Sequence, residues 1–195
     1  MVIVAGLLAV GGSELFAKGP ADLTKTAPPK LNGKHNHNLG PVGALGWMHV
    51  EGGMTVKARQ ILIASVEKGS PAAGRLEVGD VILGAFGKPF AQDARKAFGL
   101  AIGRAEARTG ALPLIVWRKG KTRNVIIKLQ AMGAYSATSP YNCPKAKKIL
   151  DRGLAFIAKN IKDQNRFPIN ELALLASGRP QYLKLVRDSA RAMAK

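Results

Sequence analysis

The sequence is poor in acidic residues, in aromatic residues and in cysteine. Twelve Asp and Glu stand against 30 Lys and Arg, a formal net charge of +18, and aromatic residues make up 6% of the chain. Such a positive field attracts polyanions and acidic partners. The basic residues are spread out with few aromatics among them, and no helix-turn-helix, RNP or zinc-finger pattern is present. A solvated basic surface is therefore favoured, and no specific nucleic-acid site is predicted.

The single cysteine excludes an intrachain disulfide framework. Cys143 precedes Pro144 at a predicted helix start, where a thiol pKa can be lowered. Without a His or Asp partner nearby in the sequence, a packing role is favoured. His35 and His37 have no third or fourth ligand at a useful spacing, so no metal site and no cofactor are predicted.

Catalytic motifs are also missing. None of the serines lies in a G-x-S-x-G elbow, and no glycine-rich segment ends as a phosphate-binding loop does. The histidines have no acid placed to orient them, and the acidic residues are scattered singly. We therefore predict no catalytic residues and no enzymatic activity, a question that stays open if the chain is a fragment of a larger protein.

The apolar run in residues 1–17 is too short to span a bilayer. It resembles the apolar core and cleavage end of a secretory signal, although no Lys or Arg precedes it. We predict a periplasmic or secreted protein without a transmembrane helix in the mature chain, with a cytoplasmic protein as the alternative. Residues 18–38, rich in Pro, Lys, Asn and Gly, are predicted to be a flexible leader.

The most informative stretch is residues 61–90. It begins with a β-branched run, breaks at the Gly-Ser-Pro sequence that ends at Pro71, and resumes as a strand after Asp80. Ser70 and Pro71 predict a short helix, with the serine hydroxyl as its cap and Gly74 ending it in the left-handed region. Gly79-Asp80 and the Gly-Lys-Pro sequence at 87–89 predict tight turns.

This order of strand, helical turn, Gly-Asp, strand and Gly-x-Pro resembles the centre of a PDZ domain, of the type attached to bacterial periplasmic proteases. The resemblance covers residues 39–131 and implies an α+β fold, a small β-barrel or sandwich with two helices. A hairpin around the Lys-Gly-Lys turn at 119–121 would close it. Residues 51–59 depart from the pattern as a hairpin-like insertion between two strands.

The resemblance also implies a peptide groove. The sequence Ala-Leu-Gly-Trp at 44–47 matches a loop whose backbone amides face a peptide's terminal carboxylate, and an ordinary loop into a strand is the alternative. The strand after it would take the peptide, and a helix over residues 91–108, with Asp93 as its N-cap or first-turn acid, would form the second wall. Phe98, Ile102 and Ala105 of that helix would pack on the sheet. The predicted peptide-binding residues are Ala44, Leu45, Gly46, Trp47, Met48, His49, Val50, Ala97 and Leu100.

From residue 140 the apolar pattern changes to a period of 3.6 and predicts antiparallel helices through residue 195. This segment resembles the helix-pair junction of α/α-toroid proteins. A PDZ unit followed by such helices resembles a family of uncharacterised, mostly secreted bacterial proteins, in which case the chain holds only the first turn of the toroid. The helices cannot bury their apolar faces on one another alone, so we predict a further docking partner.

Together these features predict a non-catalytic module that recognises an extended peptide or a protein C-terminus by β-strand addition, acidic partners being favoured by charge. Two alternatives stay open. One is the targeting or regulatory fragment of a larger enzyme whose catalytic toroid lies beyond residue 195. The other is a basic envelope protein that binds polyanions.

Overall fold

A computed structural model describes residues 22–25, 33–161 and 169–193. Within these residues it has the predicted α+β architecture, with a seven-stranded antiparallel sheet and four α-helices. No helix within the described residues is long and apolar enough to cross a membrane. The strands are β1 (Asn36–Asn38), β2 (Ala44–Trp47), β3 (Ile61–Val66), β4 (Val81–Ala85), β5 (Lys88–Pro89), β6 (Ala111–Arg118) and β7 (Lys121–Lys128). The helices are α1 (Ala94–Glu106), α2 (Pro144–Lys159), α3 (Ile169–Ala176) and α4 (Pro180–Met193).

The chain divides into two compact units. Within the described residues, the first unit comprises those up to Gly99 together with Pro113–Ile127, and the second comprises Leu100–Leu112 and those from Lys128 on. The sheet order is β1-β2-β3-β4-β6-β7, and β5 pairs with β4. The β-branched runs at 61–66 and 81–85 form central strands as predicted, because such side chains pack well on a pleated surface.

One face of the sheet carries a row of large apolar side chains. The strand register places Trp47 opposite Leu62, Leu62 opposite Val81, and Val81 opposite Trp117. Leu23, from the leader, packs into the same buried cluster. Side chains alternate between faces along a strand, so the neighbouring residues Ile61, Ile63 and Ile82, all fully buried, belong to the opposite face.

Helix α1 begins at Ala94, directly after Asp93 and three residues later than the predicted start. Asp93 Oδ1 accepts the backbone N–H of Arg95 at 2.9 Å and the hydroxyl of Thr55 at 3.0 Å. The side-chain oxygen thus satisfies one of the free N–H groups at the helix start. The hairpin between β6 and β7 and the insertion at 51–59, which contains a β-bridge between Glu51 and Met54, are also found.

The short helix predicted at Ser70 is absent; Ser70 lies at a bend, and residues 71–75 form consecutive turns. The Ser70 hydroxyl does not cap free N–H groups; it donates to the backbone oxygen of Gly43 at 3.0 Å. Few residues separate Gly69 from Gly74, and both have a positive φ, which leaves no room for a regular helix. The prediction for Gly74, a left-handed conformation with φ of 71°, is confirmed.

The second unit contains the three predicted helices α2, α3 and α4. Leu154, Ile161 and Leu174 form their buried cluster, with half-buried apolar residues of α2 and α4 around it. The ammonium of Lys145 lies 2.6 Å from a Glu106 carboxylate oxygen, and both residues are buried. Several large apolar side chains of the helices stay exposed, and what covers them stays a prediction; they are Ile149, Leu150, Phe156, Ile169, Leu172, Leu175 and Leu183.

The flexible leader predicted for residues 18–38 is wrong for its last part. Residues 33–35 form a 3₁₀ turn and residues 36–38 form β1, because this segment joins the sheet by pairing with β2. Residues 22–25 are also folded against the first unit through Leu23. The signal-like segment 1–17 lies outside the described residues, so export stays a prediction.

Candidate functional site: the outer edge of strand β2

Strand β2 has β3 on one side and the leader strand β1 on the other. β1 runs antiparallel to β2, with Asn36 opposite Trp47, His37 opposite Gly46 and Asn38 opposite Leu45. The pairing continues at both ends. Residue 48 donates its backbone N–H to residue 35 at 3.0 Å, and residue 39 donates to residue 44 at 3.0 Å. The edge where a peptide strand was predicted to add is therefore occupied by the chain itself.

The flanking hydrogen bonds fix the pattern of the ladder. Hydrogen-bonded pairs alternate with non-hydrogen-bonded pairs along an antiparallel ladder. Because the 35–48 and 39–44 pairs are hydrogen-bonded, the pair midway between them, His37 and Gly46, is also a hydrogen-bonded pair. The backbone of His37 is thus the central anchor of β1.

The start of helix α1 lies close to β1. The pKa of His37 is lowered from its usual value of 6.5, first by burial and then by the positive charges of Arg95 and His35, and the carboxylate of Asp93 opposes these effects. Arg95 and Asp93 belong to the first turn of α1 and to the residue before it. β1 therefore lies at the outer edge of β2 within reach of charges at the start of this helix.

The side chains of β1 fit this edge imperfectly. Asn36 Oδ1 and His37 Nε2 are buried without a hydrogen-bond partner within the described part of the chain. The nearby Trp47 Nε1 is also buried, and it too has no partner in the described ranges. A buried polar atom without a partner costs about 1–3 kcal/mol, so β1 retains unfavourable contacts that an apolar side chain would not make.

The residue before β1 holds the strand more effectively. The ring of His35 stacks on Trp47, with 5.2 Å between ring centroids and 19° between the planes. Its Nδ1 lies at hydrogen-bond distance, 3.2 Å, from the backbone oxygen of Met48. The residue before β1 is therefore held by a ring stack and a hydrogen bond. Within β1, by contrast, Asn36 and His37 each bury a polar atom that has no partner among the described residues.

Residues 44–47, predicted as a loop that faces a carboxylate, form strand β2, and their role in binding a carboxylate stays a prediction. Gly46 is required there for packing. A Cβ at this position would lie 2.4 Å from Ile61 Cγ2 and 3.0 Å from Leu39 Cδ2. The absence of a side chain thus lets two apolar residues pack closely against the strand backbone.

The turn before β2, residues 39–43, is closed by its own hydrogen bonds. The Gly43 N–H donates to Gly40 O at 3.0 Å, and the Gly40 N–H donates to Asn38 Oδ1 at 2.7 Å. Gly43 has a φ of 73°, and a Cβ there would lie 2.2 Å from the Cβ of Ser70. A cleft of about 150 Å³ lies beside this turn, lined partly by Ser65 and Glu67.

The other predicted peptide-binding residues differ in their burial and in their secondary structure. Met48 is buried, while His49 and Val50 are half-buried and lie after the end of β2 rather than in a strand. Ala97 on α1 is half-buried, and Leu100 is 68% exposed. The role of all nine residues in peptide binding stays a prediction.

A second leader contact lies on the sheet face beside Trp47. The Leu23 N–H donates to Gln60 Oε1 at 2.7 Å, and Gln60 Nε2 donates to Asp22 Oδ1 at 3.0 Å. The bond from Gln60, followed by those from Thr24, holds the pKa of Asp22 well below its usual range. With Trp47, His49 and neighbouring residues, these groups line a cleft of about 260 Å³.

The sequence did not reveal the ion pair between Asp80 and Arg118. The guanidinium Nε lies 2.6 Å from Asp80 Oδ1, and the Asp80 side chain is fully buried. Asp80 also accepts the N–H of Glu77 at 2.9 Å, the bond within its own turn that the Gly-Asp sequence predicts. This pair stabilises the start of β4 and lies outside the β2 edge.

Cys143 is buried at the start of α2, where its sulfur accepts backbone N–H bonds from Ser136 at 3.3 Å and Ala146 at 3.5 Å. The bond from Ala146, followed by that from Ser136, lowers the pKa of the thiol to about 7. Its surroundings are those of a helix cap. Within the described residues, no group of three or more His, Cys, Asp and Glu side chains could hold a metal ion.

No protein-family model and no curated protein matches the chain. Among solved structures, the chain is similar to an HtrA-type protease, AlgW, solved with a decapeptide. The two are 28% identical over 49% of this chain and 30% of the protease chain, with a TM-score of 0.30. The chain thus spans less than a third of the protease's length, and the resemblance to a PDZ domain stays a prediction beside this distant likeness.

Proposed function

We propose that the first unit is a non-catalytic peptide-recognition module. An extended segment of a partner protein, or its C-terminus, would pair along the outer edge of β2 as an added strand. The backbone hydrogen bonds would provide the affinity, at about 1 kcal/mol net each, and side-chain contacts would provide selectivity. An affinity near micromolar, about 8 kcal/mol, is expected for such an interface.

The pairing of β1 with β2 is the observation that carries this proposal. A short segment of low strand propensity, Asn-His-Asn, pairs with β2 in continuous register. The edge thus accepts an extended backbone without help from apolar side chains. Arg95 and Asp93, at the start of α1, both act on the pKa of His37 in that strand.

The absence of catalytic activity is part of the proposal and rests on the sequence, in which no nucleophile and base are paired. Cys143 is the one nucleophile with a lowered thiol pKa, and its sulfur is buried under two backbone N–H donors. The alternatives, a fragment of a larger enzyme and a polyanion-binding envelope protein, stay predictions.

A peptide array tests the proposal. Decapeptides with free and with amidated C-termini would be screened on the full chain and on its His37→Pro variant, and hits measured by fluorescence anisotropy. We expect micromolar binding of extended, partly apolar peptides, with chemical-shift changes in the amides of residues 45–47. If neither protein binds any peptide, the proposal is wrong.

Comparing peptides with free and with amidated C-termini distinguishes recognition of a C-terminus from recognition of an internal segment. The N–H groups of Gly40 and Gly43 are already bonded within the turn. Weaker binding of the amidated form would indicate that the terminal carboxylate opens this turn and takes its amides. Equal binding would remove the carboxylate from the proposal and leave strand addition by an internal segment.

A further inference from the structure

We propose that β1 is an intramolecular competitor for the peptide: residues 36–38 occupy the outer edge of β2, and an incoming strand with consecutive apolar residues displaces them. This inference rests on the proposed function and deepens it, because it names both a regulatory element and the chemical class of ligand that overcomes it. In the chain without a bound peptide, β1 therefore covers the edge of β2 on which the peptide would pair.

The geometry of β1 is that of an added strand. It runs antiparallel to β2 and reaches its outer edge, with His37 and Gly46 as the central hydrogen-bonded pair. A ligand strand on this edge would need the same backbone bonds, so β1 and the ligand exclude each other. The turn at 39–43 ties β1 directly to β2, which gives it a high effective concentration at the edge.

The unpaired polar atoms of β1 make it replaceable. Asn36 Oδ1 and His37 Nε2 are buried, and neither has a hydrogen-bond partner among the residues that the structure describes. Adjacent residues of a strand point to opposite faces, so these two atoms lie on the two sides of β1. A ligand with an apolar residue at both positions would make the same backbone bonds without burying either polar atom. The preferred ligand is therefore an extended segment with two consecutive apolar residues.

The leader has a second anchor upstream. The hydrogen bonds between Gln60 and the backbone of Leu23 and side chain of Asp22, together with burial of Leu23 beside Trp47, hold residues 22–25 on the sheet face. Release of β1 from its edge does not require release of this contact. The displaced segment therefore stays tethered at both ends and returns when the ligand leaves.

The test uses one probe and three forms of the full chain. The probe is a fluorescent synthetic octapeptide with the sequence of residues 33–40, carrying valine in place of both Asn36 and His37. His37→Pro removes the N–H of the central pair and loosens β1. His37→Val keeps that N–H and replaces the unpartnered imidazole with an apolar group, which tightens β1.

We expect the probe to bind His37→Pro about fivefold more tightly than the wild type, and His37→Val about fivefold more weakly, the effect of one net hydrogen bond on a competitor. In the wild type, saturating probe should accelerate hydrogen exchange at the amides of His37 and Leu39. The amide of Gly46 should stay protected, since it changes partner rather than losing one.

Equal affinities in all three forms would overturn the inference. So would binding that leaves His37 and Leu39 protected, an outcome that keeps the proposed function because the peptide would then bind elsewhere on the module. Failure of every form to bind would overturn the proposed function itself. If His37→Pro unfolds, as judged by its melting curve, the comparison of the wild type with His37→Val decides between these outcomes.

Discussion

Gly46 shows how one missing side chain determines the packing around the candidate site. A Cβ at this position would lie 2.4 Å from Ile61 Cγ2, a methyl group fixed close to the backbone of a fully buried residue. Gly46→Ala should lower the free energy of unfolding by about 1–3 kcal/mol, because the core must shift to relieve the overlap. Urea denaturation of the full chain would measure the change.

A second glycine provides the control for this prediction. Gly103 lies inside α1 with nothing within 4 Å of its ideal Cβ. Gly103→Ala should leave stability unchanged or raise it by roughly 0.5–1 kcal/mol, the difference in helix propensity. A neutral Gly46→Ala substitution would show that the strand closes over residue 46 less tightly than this structure has it.

Residue-scale predictions from the sequence succeeded where the partners are neighbours. Asp93 at the start of α1 and Asp80 within its turn follow from local spacing, and both make the backbone contacts expected of them. The bond between Asp80 and Arg118 could not be predicted, because only the adjacency of β4 and β6 brings these residues together. Ser70 was misjudged for the same reason, since its acceptor, Gly43, is brought close by the fold.

At the scale of elements, strands with β-branched runs and helices with a 3.6-residue stripe were predicted well. β1 was missed because Asn-His-Asn carries neither signal, and it becomes a strand only through register with β2. The one sequence signal for it was the Gly-Pro turn at 40–41 between two short segments, a feature typical of a hairpin. The candidate site therefore could not be predicted in full, because its decisive element has no local signature.

The pH dependence of β1 is a prediction at this scale. Burial, Arg95 and His35 lower the pKa of His37 in the docked strand, with Asp93 opposing them. Because the pKa of His37 is below 6.5 when β1 is paired with β2, His37 binds a proton more readily when β1 is released. Docking is therefore strongest above about pH 6.5 and weakens as the pH falls through 6.5 toward the docked pKa.

After correction for the intrinsic pH dependence of exchange, we expect the Leu39 amide to exchange faster at pH 5.5 than at pH 7.5. In His37→Val this difference should disappear. A difference that persists unchanged in His37→Val would assign the effect to another group.

At the scale of the whole molecule, the formal net charge of +18 opposes the compact state through self-repulsion. Salt has two opposing effects on such a chain. It screens this repulsion, and it weakens exposed ion pairs such as that between Lys184 and Asp188, which contribute little to stability. The buried Asp80–Arg118 pair is screened far less. The repulsion should dominate because basic residues outnumber acidic ones by 30 to 12.

Raising NaCl from about 0.01 M to about 0.1 M, which shortens the screening length from about 30 Å to about 10 Å, should therefore raise the melting temperature. Replacing the exposed Lys68, Lys88 and Lys96 with glutamine reduces the net charge by three, from +18 to +15. The triple variant should melt higher than the wild type at low salt and gain less from added NaCl. A melting temperature that falls with salt in both proteins would mean that ion pairs, and not repulsion, dominate the electrostatic contribution to stability.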